Sequence, residues 1–198
     1  TLSRSSAASD VYKRQDYNGL TFAETFGDMA FTLYSHAVSL RDLGCTQSPM
    51  NAWITLNGVE TLPLRMERHV ENAQKVVGFL QQHPSVEWVS YAGLSSSPYY
   101  QLAQKYLQGK AGSVFTFGIR GGYESGLRLL EKVELFSHVS NIGDSRSLIL
   151  HPASTTHRQL SDEQRLTAGA GPEVIRLSVG IESAEDLIAD LEQALEGL

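Results

Sequence analysis

Val174-Ile175-Arg176-Leu177-Ser178-Val179 is the stretch on which the fold turns. Isoleucine, leucine and valine at 175, 177 and 179 alternate with arginine and serine at 176 and 178. That period of two belongs to a strand with one apolar face and one open face. Arg176 therefore shares the open face with the small Ser178. A guanidinium with a small neighbour suits two-point capture of a carboxylate, because its fork is rigid and permanently charged. The plainer alternative is a solvated arginine paired with Glu173 or Glu182.

Around this strand the chain alternates short strands and helices. Ser183-Ala184-Glu185-Asp186 reads as a capping box that opens a helix with Leu187, Ile188, Leu191, Ala194, Leu195 and Leu198 inward. Upstream, residues 113–119 alternate and are rich in β-branched and aromatic side chains, so they read as a strand. Gly121-Gly122 breaks it, and a helix follows from Tyr123 to Lys132. Residues 86–91 form another strand, residues 99–107 a helix, and residues 134–139 a further strand. Residues 85–198 thus predict an α/β sandwich, helices against one sheet. Before it, apolar residues from Phe26 to Leu40 recur at helical spacing, with Gly44 as the stop. Ser48-Pro49 starts a second helix that runs to His83-Pro84, with a kink or break expected at Pro63. Glu71 and Lys75 make an i,i+4 pair on it.

Composition narrows the function. The chain has 198 residues, 41% hydrophobic and 19% charged, which is globular composition. Sixteen Lys and Arg against 22 Asp and Glu give a net charge of −6, and no basic tract is present. Nucleic acid and membrane surfaces are therefore not expected as partners. No apolar run approaches the roughly 18–20 residues of a membrane span. The one cysteine, Cys45, leaves no internal disulfide and fits a reducing, cytoplasmic setting, where it is expected as a buried small hydrophobe. Residues 1–15 have no periodicity and resemble translated library adapter, so they are expected to be a non-native tail that packs on nothing.

Two further stretches carry polar chemistry. Asn141-Ile142-Gly143-Asp144-Ser145 is a glycine-containing turn whose donors suit an oxyanion, or simply a turn. His151-Pro152-Ala153-Ser154-Thr155-Thr156-His157 has two histidines six apart. That spacing fits neither one helix face nor a tight chelate, so no metal site is expected. Phosphate-loop, dinucleotide-fingerprint, nucleophile-elbow and zinc-protease patterns are absent.

Gly58-Val59-Glu60-Thr61-Leu62-Pro63-Leu64-Arg65-Met66-Glu67-Arg68-His69 strongly resembles a motif of the Cys/Met-metabolism family of pyridoxal-phosphate enzymes. So do Asn141-Ile142-Gly143-Asp144, the stretch His151 to His157, and Ile175-Arg176-Leu177-Ser178-Val179-Gly180-Ile181-Glu182. The similarity runs from about Tyr17 to Leu198. Gly19-Leu20-Thr21-Phe22 and Glu24-Thr25-Phe26-Gly27 are similar to the O-acetylhomoserine sulfhydrylase branch of that family.

The resemblance implies the C-terminal portion of a fold-type-I, aspartate-aminotransferase-like enzyme. Residues 16–84 would be the end of the large cofactor domain and a long connecting helix, and 85–198 the small domain that closes over the site. Arg176 would grip the substrate's α-carboxylate, with Asn141 and Thr156 lining the same pocket. The implied reaction is γ-replacement on O-acetylhomoserine by sulfide or a thiol, giving homocysteine or methionine, in a cytoplasmic homotetramer. The alternatives are a cystathionine γ-synthase or methionine γ-lyase activity, or a non-catalytic α/β anion-binding domain. One departure is plain: the family anchors its cofactor through a lysine in a Ser-x-Thr-Lys context. None of Lys13, Lys75, Lys105, Lys110 and Lys132 has that context, and the phosphate cradle is missing too. Pyridoxal phosphate is thus expected in the complete protein with no catalytic or cofactor-binding residue in this chain, which alone is expected to be inactive.

Overall fold

The computed structural model of the chain describes residues 20–198. The expected tail, residues 1–15, lies outside them. Two compact units divide at Val59/Glu60. In the first, α1 (Phe22–Phe26) leads through a 3-10 turn (Gly27–Met29) to α2 (Ala30–Tyr34), a π-helix (Ser35–Leu40) and α3 (Arg41–Leu43). Gly44 ends the run in the left-handed conformation, φ +64°. The apolar spacing of residues 26–40 is thus helical throughout, yet the hydrogen-bond pitch changes along it. Phe22 is buried edge-on against Tyr34, with ring centroids 5.1 Å apart. Cys45 is exposed, not buried as expected, because it follows Gly44 in a connection whose residues all face outward. Ser48 caps α4 (Pro49–Glu60) through its hydroxyl, which accepts from the Asn51 N–H at 3.2 Å.

The second unit opens with α5 (Leu62–Leu80), separated from α4 by Thr61. Pro63 sits in the first turn of α5, where its missing N–H breaks no helical bond, so the expected interruption falls just ahead of it. There follow β1 (Val86–Ser90), α6 (Tyr100–Leu107), β2 (Val114–Ile119), α7 (Gly122–Lys132), β3 (Ser137–His138) and β4 (Leu148–Leu150). A 3-10 turn (Pro152–Ser154), α8 (Asp162–Thr167), β5 (Val174–Ser178) and α9 (Ala184–Leu195) complete the chain. The sheet order is β1-β2-β5-β4-β3, antiparallel except between β3 and β4.

The strand expected over residues 134–139 shrinks to two residues for a physical reason. The buried Asp190 carboxylate on α9 accepts from the N–H groups of Glu134, Leu135 and Phe136 at 2.8, 2.9 and 3.2 Å, so these donors are not free to join a ladder. The capping box at Ser183 is only half made. Ser183 Oγ accepts from the Asp186 N–H at 3.3 Å, but no return bond forms, since aspartate is one methylene shorter than glutamate. A complete box instead opens α8, between Ser161 and Gln164.

The core lies between the sheet and helices α5, α7 and α9. Cross-strand pairs Phe117–Ile175 and Phe115–Leu177 meet Val76, Val77 and Leu80 of α5, Leu129 of α7, and Leu187, Leu191 and Leu195 of α9. Each such side chain, fully buried, contributes about 1.5–3 kcal/mol. Along α5 burial begins at His69, while Leu64 is 70% exposed, so only the C-terminal part of the apolar stripe is core. The helix thus belongs to the same compact unit as the sheet. Among the described residues no helix is long and apolar enough to cross a membrane.

Candidate functional site

β5 lies between β2 and β4, and along it only Arg176 is not fully buried. Ile175, Leu177 and Val179 are fully buried, while Arg176 is half-buried on the opposite face. Register places Arg176 between Thr116 on β2 and Leu150 on β4, and Ser178 between Val114 and Leu148. On the same face Trp88 of β1 lies over Gly118, where a Cβ would strike the indole. The face therefore carries the Trp88 ring and the Arg176 guanidinium, with Thr116, Gly118 and Ser178 set among the aliphatic Val114, Leu148 and Leu150.

Arg176 Nη2 donates to the backbone carbonyl oxygen of Asn141 at 3.3 Å. Among the described residues no carboxylate lies within 4.0 Å of this guanidinium, so the pairing with Glu173 or Glu182 is not made. Glu182 is engaged elsewhere: its carboxylate accepts from Ser147 N at 2.6 Å and Ser147 Oγ at 2.9 Å. A guanidinium has five N–H donors, and one is committed to Asn141, which leaves the rest for a ligand. The turn that presents Asn141 is held by Gly143 N–H, which donates to Ser178 Oγ at 3.2 Å, with Gly143 at φ +73°. Asp144 accepts from Arg146 N at 3.0 Å, and this backbone hydrogen bond holds its carboxyl below the usual range.

The structure thus joins two of the three expected residues, Arg176 and Asn141, through a main-chain oxygen that sequence patterns do not reveal. Thr156 is exposed, and its hydroxyl pairs with His157 Nδ1 at 2.9 Å. No hydrogen bond connects it to Arg176 or Asn141 among the described residues. Ser178, noted only as a small neighbour, is the residue that sequence reasoning underread. Its alternation onto the face of Arg176 was the available signal.

His151 is fully buried. Its Nε2 meets the Pro172 carbonyl oxygen at 2.9 Å and its Nδ1 meets Ser154 Oγ at 3.0 Å, so the neutral ring with the proton on Nε2 satisfies both. Burial pushes its pKa below the ordinary 6.5, and the Pro172 carbonyl opposes part of that shift. Among the described residues no three His, Cys, Asp or Glu side chains come together as a metal site. The described lysines are committed elsewhere: Lys75 to Glu71 at 3.1 Å, Lys110 to Glu67 at 3.2 Å, Lys132 to the Glu196 carbonyl at 2.6 Å. Lys105 lies 4.9 Å over the Tyr106 ring.

Comparison with known proteins gives this geometry a context. Residues 13–196 match the model of the Cys/Met metabolism PLP-dependent enzymes. An O-acetyl-L-homoserine sulfhydrylase of Thermus thermophilus is 50% identical over 179 residues, 90% of this chain and 42% of that protein. A homocysteine synthase of Schizosaccharomyces pombe is 44% identical over 91% of the chain and 42% of its own length. The crystal structure of a putative O-acetylhomoserine (thiol)-lyase of Campylobacter jejuni, which carries a pyridoxyl-lysine, superimposes with a TM-score of 0.81 at 42% identity. It covers 93% of this chain, which covers 44% of it. The α/β fold expected from the resemblance is the one the two structures share. The chain spans about two fifths of the length of these relatives.

The state of His151 has a measurable consequence. Its folded pKa is below that of the unfolded chain, so the unfolded state binds more protons and stability falls as pH drops below about 6.5. The slope from this one group is at most about 1.4 kcal/mol per pH unit. Thermal melts between pH 7.5 and 5.5 are expected to fall more steeply for the native chain than for His151→Gln. Equal slopes would show that His151 carries no such linkage.

Proposed function

The chain belongs to the Cys/Met metabolism PLP-dependent enzyme family, and we propose that it is the substrate-gripping part of an O-acetylhomoserine sulfhydrylase. The observation that carries this reading is Arg176, a guanidinium on the open face of the central strand with no carboxylate of the described residues beside it. Such a group binds an α-carboxylate by donating two parallel charge-assisted hydrogen bonds to it. The Asn141 carbonyl oxygen fixes it from one side, and for the Asn141 side chain, which is exposed, the support is the family resemblance of its motif. For Thr156 the support is the family resemblance of its motif alone.

In the complete enzyme the proposed reaction is γ-replacement. The Cγ–O bond of O-acetylhomoserine breaks, acetate leaves, and sulfide or a thiol forms the new C–S bond, giving homocysteine or methionine. Pyridoxal phosphate would supply the electron sink. The described residues of this chain do not fit a role in holding it: their lysines sit in ion pairs, on a backbone carbonyl or over a tyrosine ring. A lysine that anchors such a cofactor must instead be desolvated and able to give up its proton. We therefore place the cofactor lysine outside the described residues, and assign these residues to binding and orienting the amino-acid end of the substrate. Membership of the family supports extending this reading to a cytoplasmic homotetramer.

In the complete enzyme, Arg176→Ala is expected to lower kcat/KM for O-acetylhomoserine by about two to three decades, about 2.7–4 kcal/mol. Folding and cofactor absorbance should persist, because Ile175, Leu177 and Val179 stay in the core. If the variant unfolds while its folded fraction retains full activity, Arg176 has no part in substrate binding.

Mixing the 198-residue chain with pyridoxal phosphate and then desalting should leave no cofactor absorbance, and no sulfhydrylase turnover should appear. A stoichiometric chromophore on one lysine after desalting would overturn the placement of the cofactor lysine elsewhere.

A further inference from the structure

β5 and the turn at residues 141–144 touch twice, and the two contacts close a ring. From Arg176 the chain passes Leu177 to Ser178, whose Oγ accepts from Gly143 N–H at 3.2 Å. From Gly143 it returns through Ile142 to Asn141, whose carbonyl oxygen accepts from Arg176 Nη2 at 3.3 Å. The C-terminal arm of this turn is fixed independently. Ser147, fully buried, donates its N–H and hydroxyl to Glu182 and accepts from Gly180 N–H at 2.7 Å. Ile181 N–H donates to the Ser145 carbonyl at 2.9 Å. Asn72 of α5 in turn holds the carbonyls of Gly180 and Glu182 at 3.1 and 2.8 Å. The Asn141 arm is held more lightly, by Asn141 N–H on the Val139 carbonyl at 3.0 Å and by the ring itself.

We propose that Ser178 is a positioning residue for Arg176: its hydroxyl, through Gly143, sets the turn whose Asn141 carbonyl orients the guanidinium, and so selects the edge offered to a carboxylate. This rests on the reading of Arg176 as the carboxylate-binding group. Two-point binding needs two N–H groups of one edge pointing the same way. A long side chain free to rotate loses part of that advantage to entropy. Asn141 O engages one Nη2 hydrogen and thereby fixes the plane of the fork. Asn141 O keeps its place only while the turn does. Ser178 is 2% exposed, so water does not readily replace its hydroxyl as the acceptor for Gly143 N–H. Its side chain lies on the face opposite Ile175, Leu177 and Val179, so losing the hydroxyl leaves the apolar core as it is.

The test is steady-state kinetics on the complete enzyme that carries this segment. Ser178→Ala is expected to raise KM for O-acetylhomoserine roughly three- to tenfold, the effect of one neutral hydrogen bond, with kcat and the KM for sulfide within about twofold. Ser178→Thr, which keeps a hydroxyl, should restore much of the loss. Ser178→Cys, of similar size with a weak acceptor, should behave as the alanine variant and serves if alanine impairs folding. Because Ser178 acts through Arg176, adding Ser178→Ala to Arg176→Lys should raise KM by less than about twofold more. An unchanged KM in Ser178→Ala and Ser178→Cys, with a raised KM in Arg176→Lys, overturns the positioning role and leaves the proposed function standing. A KM unchanged by Arg176→Lys overturns both. An equal rise on adding Ser178→Ala in either background shows a general structural effect and likewise overturns the positioning role.

Discussion

β5 is hydrogen-bonded along both edges, to β2 and to β4, and every other side chain of it is driven into the core. That constraint organises the unit. With Ile175, Leu177 and Val179 committed to α5, α7 and α9, a shift of register by one residue would turn Arg176 into the core and carry these three side chains to the opposite face. Burying an unpaired guanidinium is far more costly than exposing it. The packing that gives the domain its stability therefore also holds the guanidinium at the open face.

Around that strand, buried polar groups do what regular secondary structure does not. The Asp190 carboxylate gathers three successive backbone N–H groups and stops the strand that the sequence pattern favours over residues 134–139. Glu182, Ser147 and Asn72 tie the segment beyond β5 to the loop before β4 and to α5. His69 of α5, almost fully buried, sits 2.6 Å from the Val179 carbonyl oxygen. Removing one partner from such a group leaves the other buried and unsatisfied, so these contacts specify one arrangement of loop against strand.

The parts of the fold with long, clean periods were legible in advance: β2, β5, α7, α9 and the apolar stripe of α5. What escaped was short or non-local. Leu148-Ile149-Leu150 is too brief to show a period, and α8 is six residues opened by a box that closes on Gln164. Cys45 is exposed because its surroundings, not its residue type, decide its burial. In the site, Arg176 announced itself by alternation on an apolar strand. The partnership with Asn141 could not, since it is made by a carbonyl oxygen that every residue possesses. In sequence Glu173 or Glu182 could equally be the partner of a solvated Arg176, and only the structure shows the Glu182 carboxylate taken by Ser147.

The most direct test of the account is a crystal structure of the complete enzyme with a non-reactive α-amino acid of the substrate's length bound. The account predicts the ligand carboxylate on Arg176, with two N–H···O distances of about 2.7–2.9 Å, while Asn141 O keeps its bond to Nη2. A carboxylate bound elsewhere, with Arg176 paired to an acidic side chain of the protein, would contradict it.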